Sequence, residues 1–306
     1  MDFGGCVLVA EDGALFPATV RGRLMGPRKA LGNAVVVGDL VGVEVERDQA
    51  VVDEVQPRRN TFSRRAAGEQ PIEQVVAANL DQVVLVTSLG QPDFSPGLAD
   101  RVLVQAEHAG IPARLVLNKT DLGTPAEART LVAEYERAGV PCHAVCATRR
   151  AGVDVLRHVL LGRRSLFVGH SGVGKSTLLN ALVPGLELLE GAVNEKTGHG
   201  RHTTSAAILV RPEPGFELID TPGVRAFGLW GIGPRDLEQA YTEFRRFLGL
   251  CRFTDCRHDT EPGCALRAAV DVVEISRLRY DSFVKLRGEL EQEAAHPETR
   301  TRRGRR

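Results

Sequence analysis

A chain of 306 residues is longer than one small domain needs and suits two or three. With 43% hydrophobic and 25% charged residues and a formal net charge of zero, the composition is that of an ordinary soluble globular protein, and total charge makes no case for nucleic acid. No run approaches the ~20 apolar residues of a membrane span, and "MDFGGCVLVAEDG" lacks the basic and apolar regions of an export signal, so the expectation is a cytoplasmic protein with no membrane partner.

Residues 1–68 are rich in Val and Gly with apolar alternation, as in "AVVVGDLVGVEVERDQAVVDEV", and predict a small antiparallel β-barrel. Arg58, Arg59, Arg64 and Arg65 come next in "PRRNTFSRR", where they read either as a solvated linker or as groups facing phosphates.

From 69 to 232 strand-like runs alternate with amphipathic stretches. The runs at 82–88, 113–119, 142–147, 165–169 and 216–220 predict an α/β domain with a mostly parallel sheet and helices on both faces. Ligands in such sheets bind at the carboxyl ends of strands, and each motif here directly succeeds such a run. The first is Asn118-Lys119-Thr120-Asp121. The Asp121 carboxylate can accept from the ring N–H and the exocyclic amine of guanine, which adenine cannot offer; Asn118 can serve the carbonyl edge and Lys119 can cover the ring. The segment "CHAVCAT" then places Cys146 and Ala147 behind the base.

The second is Gly169-His170-Ser171-Gly172-Val173-Gly174-Lys175-Ser176, continued by Thr177, a full phosphate-loop pattern between a strand and a helix. Backbone N–H groups and the helix N-terminus favour the phosphates, Lys175 reaches their outer oxygens, and Ser176 can ligate magnesium. In "GHGRHTTSA", Thr203 and Thr204 offer hydroxyls, of which Thr204 is the candidate second magnesium ligand; the alternative is two surface threonines opening a strand. Asp220-Thr221-Pro222-Gly223 closes a strand, with Asp220 on the metal side and Gly223 at the γ-phosphate. The position after it, where many GTPases carry a water-orienting Gln, is Val224, so His202 becomes the candidate catalytic group, against the reading of an exposed loop histidine. The base reader thus precedes the phosphate loop, the order of a circularly permuted GTPase domain, and the Asp220–Gly223 segment feeds directly into the C-terminal region.

Residues 233–306 read as helix, a Cys/His cluster, a second helix and the basic tail "RTRRGRR". Cys251-x4-Cys256-x-His258-x5-Cys264 offers three thiolates and an imidazole, a closed ligand set for one structural zinc. Such a module is expected to have little core of its own and to fold on the metal. Cys6 and Cys142 stand apart as packing residues.

Together these motifs resemble the ribosome small subunit-dependent GTPase A family of bacteria. The resemblance spans the whole chain: an OB-type barrel, a circularly permuted GTPase domain with "NKTD", "GHSGVGKST", "GRHTTS" and "DTPG" in that order, and the Cys3His knuckle. It implies a GTP hydrolase that binds GTP and GDP through Asn118–Asp121 and Gly169–Thr177, holds zinc through Cys251, Cys256, His258 and Cys264, and carries the family's switch histidine at His202; a monomer is expected separately, for want of any evident self-association helix. It further implies a late maturation factor of the small ribosomal subunit that binds its rRNA and turns over slowly until the subunit stimulates it. Ser205 departs from the family, which has a third threonine there. Two other readings remain open from the residues alone: a small-molecule kinase, against which Asp121 argues, and a nucleotide-gated RNA-binding regulator with little turnover, which Val224 keeps alive.

Overall fold

The computed structural model describes residues 5–10, 14–25, 34–46, 49–66, 71–186, 207–213, 216–224 and 226–295. His202, Thr203, Thr204, Ser205 and the tail arginines lie outside the described residues.

At the N-terminus β1 (Gly5–Val9), β2 (Leu15–Val20), β3 (Val41–Glu46) and β4 (Gln49–Val55) form a four-stranded sheet in the order β1-β2-β4-β3. The antiparallel expectation fails at one ladder, since β2 and β4 run parallel. Ala18, Val20 and Val52 alternate inward to make a small core. The next two strands, β5 (Thr61–Arg65) and β6 (Glu73–Ala78), pair as a separate ribbon whose Phe62 and Ala77 enter the core of the central domain.

The central sheet has six strands, β7 (Gln82–Ser88), β8 (Ala113–Asn118), β9 (Cys142–Ala144), β10 (Arg163–Gly169), β11 (Ile208–Glu213) and β12 (Phe216–Asp220), in the order β11-β12-β10-β7-β8-β9. All ladders are parallel except β11–β12 at the edge. Alternation along the strands explains the layers. Val83, Leu85, Leu115 and Leu117 face α1 (Pro96–His108) and α2 (Pro125–Arg137), whereas Val84, Val86, Val116 and Phe167 face α3 (Val153–Leu160) and α4 (Lys175–Leu182). Ser95 caps α1, and Thr124 with Glu127 forms a capping box on α2; in both a proline opens the helix.

The C-terminal region comprises α5 (Pro234–Ala240), a 3-10 turn at Thr242–Phe247, α6 (Ala265–Asp271) and α7 (Arg277–Ala295). It does not lack a core of its own: Leu237, Tyr241, Phe244, Leu266, Ile275 and Phe283 are buried together, and the aromatic rings meet at 4.9–5.4 Å. The sequence conceals this core because its residues are scattered over helices and a turn, with no periodic run to mark them. The core docks on α1. There Arg279 donates to Asp100 Oδ1 at 2.6 Å and to Glu243 Oε1 at 2.5 Å, all three side chains being buried.

The arginines after β4 do not stand free for phosphates. Arg58 pairs with the buried Asp39 at 2.7 Å, Arg59 with Asp81 at 2.6 Å and Arg65 with Glu293 at 2.8 Å, while Arg64 donates to Gln74. Arg59 and Arg65 thereby link the segments after β4 to the central and C-terminal regions, while Arg64 bonds within the β5–β6 ribbon. Arg164 on β10 donates to Gly38 O at 2.8 Å and Arg211 on β11 to Ala10 O at 2.9 Å, which fastens the N-terminal sheet to the central one. Gly38 is required here: at φ +91° a Cβ would lie 2.2 Å from Ala78 O.

Candidate nucleotide site and metal centre

The phosphate loop leaves β10 and enters α4, so that its backbone turns at the carboxyl edge of the sheet. Gly172 and Gly174 sit at φ +86° and +84°, in the left-handed region that the tight turn demands. Gly174 also lacks room for a side chain, because a Cβ would stand 2.6 Å from Asn118 Nδ2. That closeness reflects a knot of hydrogen bonds. Asn118, buried at the end of β8, donates through Nδ2 to Val173 O at 3.0 Å and Gly174 O at 3.3 Å and accepts from Ala147 N at 3.1 Å through Oδ1. Three segments from distant parts of the chain are thereby held in one register.

Lys119 takes a positive φ of 56° and donates through Nζ to Gly172 O and Gln91 O, both at 2.6 Å. Its aliphatic stem is thus drawn across from the base reader to the phosphate loop. Thr120 Oγ1 donates to Val145 O at 3.1 Å, which ties the loop to the 145–147 segment. The Asp121 carboxylate accepts from the Cys146 thiol at 3.2 Å, and Arg149 stands 3.8 Å away. The thiol hydrogen bond, ahead of the more distant charges, holds its pKa below the ordinary Asp value. Asp121 is therefore an ionised acceptor at neutral pH, the state that guanine's two N–H groups require.

Across the loop, Lys175 Nζ donates to Asp220 Oδ1 and to Thr221 O, with both side chains buried. Burial lifts the Asp220 carboxyl above its usual value, and the Lys175 ammonium opposes that shift. A buried carboxylate with one cationic partner, beside the exposed Ser176 at the start of α4, is a donor set that suits a divalent oxygen-seeking cation. Gly223 packs on the loop so closely that a Cβ would approach Ser171 Cα at 3.0 Å, and Val224 N donates to Gly169 O at 3.0 Å. The Val224 side chain is buried. Ser171, Gly172, Ser176 and Thr177 are exposed, so the loop's phosphate face is open to solvent, and half-buried His170 turns Nδ1 to Ser171 O at 2.7 Å.

Beyond the GTPase domain, the Cys251, Cys256, His258 and Cys264 ligand atoms lie within 4.8 Å of one another. His258 takes φ 63° and points Nδ1 to 3.4 Å from both Cys251 Sγ and Cys264 Sγ. Ala265 N donates to Cys251 Sγ at 3.3 Å. Burial pushes the Cys256 thiol up to about 12 and raises Cys264, while it lowers His258. Buried Cys256 and Cys264 resist ionisation until a cation is placed among the ligands, and a divalent ion reverses that balance. The four residues could hold a metal ion, and the soft donor set suits zinc.

The RsgA GTPase family model matches residues 55–230. The chain is 43% identical over 285 residues to the small ribosomal subunit biogenesis GTPase RsgA of Gemmatimonas aurantiaca, covering 92% of each protein. The chain belongs to the RsgA GTPase family. It is accordingly a GTP hydrolase. Among solved structures it is similar to YjeQ from Thermotoga maritima, with a TM-score of 0.71 and 30% identity over 94% of this chain and 98% of that one. It is also similar to YloQ, described as a circularly permuted GTPase, with a TM-score of 0.67 and 26% identity over 95% of this chain and 92% of that one. The fold is that of a circularly permuted GTPase with N-terminal strands and a C-terminal helical region that carries the cysteine cluster.

The structure brings together Asn118, Lys119, Thr120, Asp121, Cys146 and Ala147 with the phosphate loop, and places Lys175, Asp220 and Gly223 on its far side. Sequence reasoning missed Gln91, whose carbonyl braces Lys119, and Arg149 beside Asp121. A main-chain acceptor carries no side-chain signature, and an arginine in a polar loop looks like any other solvated charge. Among the described residues, no helix is long and apolar enough to cross a membrane.

Proposed function

We propose that this GTPase serves the late maturation of the small ribosomal subunit in the cytoplasm, binds ribosomal RNA as a monomer, and hydrolyses GTP slowly until the subunit stimulates it. The observation that carries the reading is a carboxylate at Asp121 held by the Cys146 thiol, beside a phosphate loop whose backbone Asn118 ties to the 145–147 segment, in a chain similar over 92% of its length to a protein named for small-subunit biogenesis. Asn118, Lys119, Thr120 and Asp121, backed by Cys146 and Ala147, recognise guanine, and Gly169 to Thr177 cradle the phosphates. When the nucleotide enters, Lys175 exchanges Asp220 for the outer phosphate oxygens. That exchange releases a buried carboxylate on the metal side, where Ser176, Asp220 and Thr204 would hold magnesium. Magnesium supplies charge neutralisation at the phosphates.

Hydrolysis needs a group that orients water, and Val224, apolar and buried, does not supply one. His202 is assigned that role. The Cys3His cluster would hold one structural zinc, which fixes the fold of the 251–264 segment.

The test is phosphate release from GTP and from ATP, with and without purified small subunits. Stimulation confined to GTP supports the assembly switch. Tight GTP binding with no stimulation would instead make the chain a nucleotide-gated RNA-binding regulator, the alternative that Val224 keeps open.

A further inference from the structure

The two ring nitrogens of His258 face different environments. Nδ1 points at Cys251 and Cys264, so it is the nitrogen presented to a metal. Nε2, on the other side of the ring and away from the sulfurs, stands 3.9 Å from Glu238 Oε2, with both side chains largely buried. Glu238 is not among the four residues whose ligand atoms cluster; it meets the histidine at Nε2. Its other carboxylate oxygen is held by Arg287 on α7, and Arg287 Nε in turn donates to Glu291 at 3.1 Å. On the backbone side Tyr280 Oη donates to His258 O at 2.6 Å. The histidine is thus gripped at its main chain and faced by a preset carboxylate at its free nitrogen. Glu238 also lines, with Cys251, Cys256 and His258, a cavity of ≈ 200 Å³.

A neutral imidazole that ligates through Nδ1 must carry its proton on Nε2, and a carboxylate opposite that proton fixes the tautomer and makes the ligating nitrogen more basic. We propose that Glu238 is a positioning residue of the metal centre, whose carboxylate accepts the Nε2–H of His258 and so sets Nδ1 toward the ion. The proposal rests on the reading that the Cys3His cluster binds zinc. It adds a connection absent from the ligand set. All four ligands lie in 251–264, whereas Glu238 belongs to α5, the first helix after the Asp220–Gly223 segment. Metal occupancy is thereby joined to the helix that leads out of the nucleotide site.

The experiment uses the full zinc-loaded chain. Metal content of the wild-type protein is measured first, and a chain that retains no zinc overturns the metal reading together with the proposal. Competition against a chromophoric chelator then ranks wild type, Glu238→Gln and Glu238→Ala. A charged acceptor predicts progressively weaker retention in that order, with the Ala variant about 10- to 100-fold below wild type. Equal retention in wild type and the Gln variant would mean that Glu238 only fills space, and would overturn the proposal while leaving the zinc site standing. Trp230 fluorescence, which reports on the junction of α1 with the C-terminal region, verifies that each variant is folded. Should the variants fail that check, nitrogen-15 histidine spectra of the wild-type chain decide: a slowly exchanging Nε2–H on zinc-bound His258 is expected, and an Nδ1–H tautomer or a freely exchanging ring proton overturns the assignment.

Discussion

At Asp121 the Cys146 thiol takes the part that a hydroxyl or a backbone amide could play elsewhere: it donates to the carboxylate and keeps it ionised. Guanine then meets an acceptor with no proton to lose. Asp121→Asn replaces that acceptor with an amide that donates, so GTP affinity should fall by about 1.5–3 kcal/mol for each charged hydrogen bond lost, roughly 10- to 150-fold. Xanthine, which offers a carbonyl where guanine has its amine, should bind the variant better than guanine does. Competitive binding of GTP and XTP measures both, and an unchanged preference for GTP would show that the base sits elsewhere. At the other end of the nucleotide, His202→Ala should abolish subunit-stimulated phosphate release and spare GTP affinity. Unchanged turnover would remove His202 from the mechanism.

Between elements, two junctions depend on charge. Where β10, β11 and β12 meet the N-terminal sheet, burial by itself would raise the Glu217 carboxyl. Arg164 and Arg211 outweigh that effect and bring it below the usual value. A depressed folded pKa means that the stabilisation is complete above the unfolded value of about 4.3 and is lost as pH falls through the lower folded value. Protection of the β11 amides relative to their intrinsic exchange rate should therefore fall below about pH 4, and Glu217→Gln should flatten that response. The second junction is α1 against α5 and α7. Burial alone would lower the Arg279 pKa, but Asp100 and Glu243 outweigh it and keep the guanidinium charged. Arg279→Met strands two buried carboxylates and should cost about 3–5 kcal/mol, of which adding Asp100→Leu recovers a part. Trp230, the one tryptophan, reports on this junction because its backbone N–H donates to Gln105 of α1 at 2.8 Å. Urea unfolding tracked by its fluorescence gives the comparison, and a neutral Arg279→Met would mean that the apolar contacts alone hold the interface.

For the molecule as a whole, α1 is the shared beam: its capped start adjoins the Gln91 brace on Lys119, and its length is covered by the C-terminal region. The metal has a narrower task there than the sequence implies. Because Tyr241, Phe244 and Phe283 form a core without it, chelation should free the 251–264 segment to proteolysis while α5 and α7 stay docked on α1. Limited proteolysis with and without chelator tests this, and release of the entire C-terminal region would restore the view that the metal supplies its folding energy.

Much of the architecture was legible in the sequence because it is written in local patterns. Apolar runs of strand length marked β7, β8, β10 and β12, and the glycines of the phosphate loop announced a turn that few other residues can make. The order of "NKTD" and "GHSGVGKST" likewise revealed the permutation, since chain order is a property of the sequence itself. What only the tertiary structure decided are pairings between residues far apart: Asn118 with Val173 and Gly174, Arg58 and Arg65 with their carboxylates, Asp100 with Arg279, and Glu238 behind His258. A charge in isolation looks the same whether it meets solvent, phosphate or a buried partner. Packing chooses among these, because only the folded chain sets the distance and the dielectric through which the charges act.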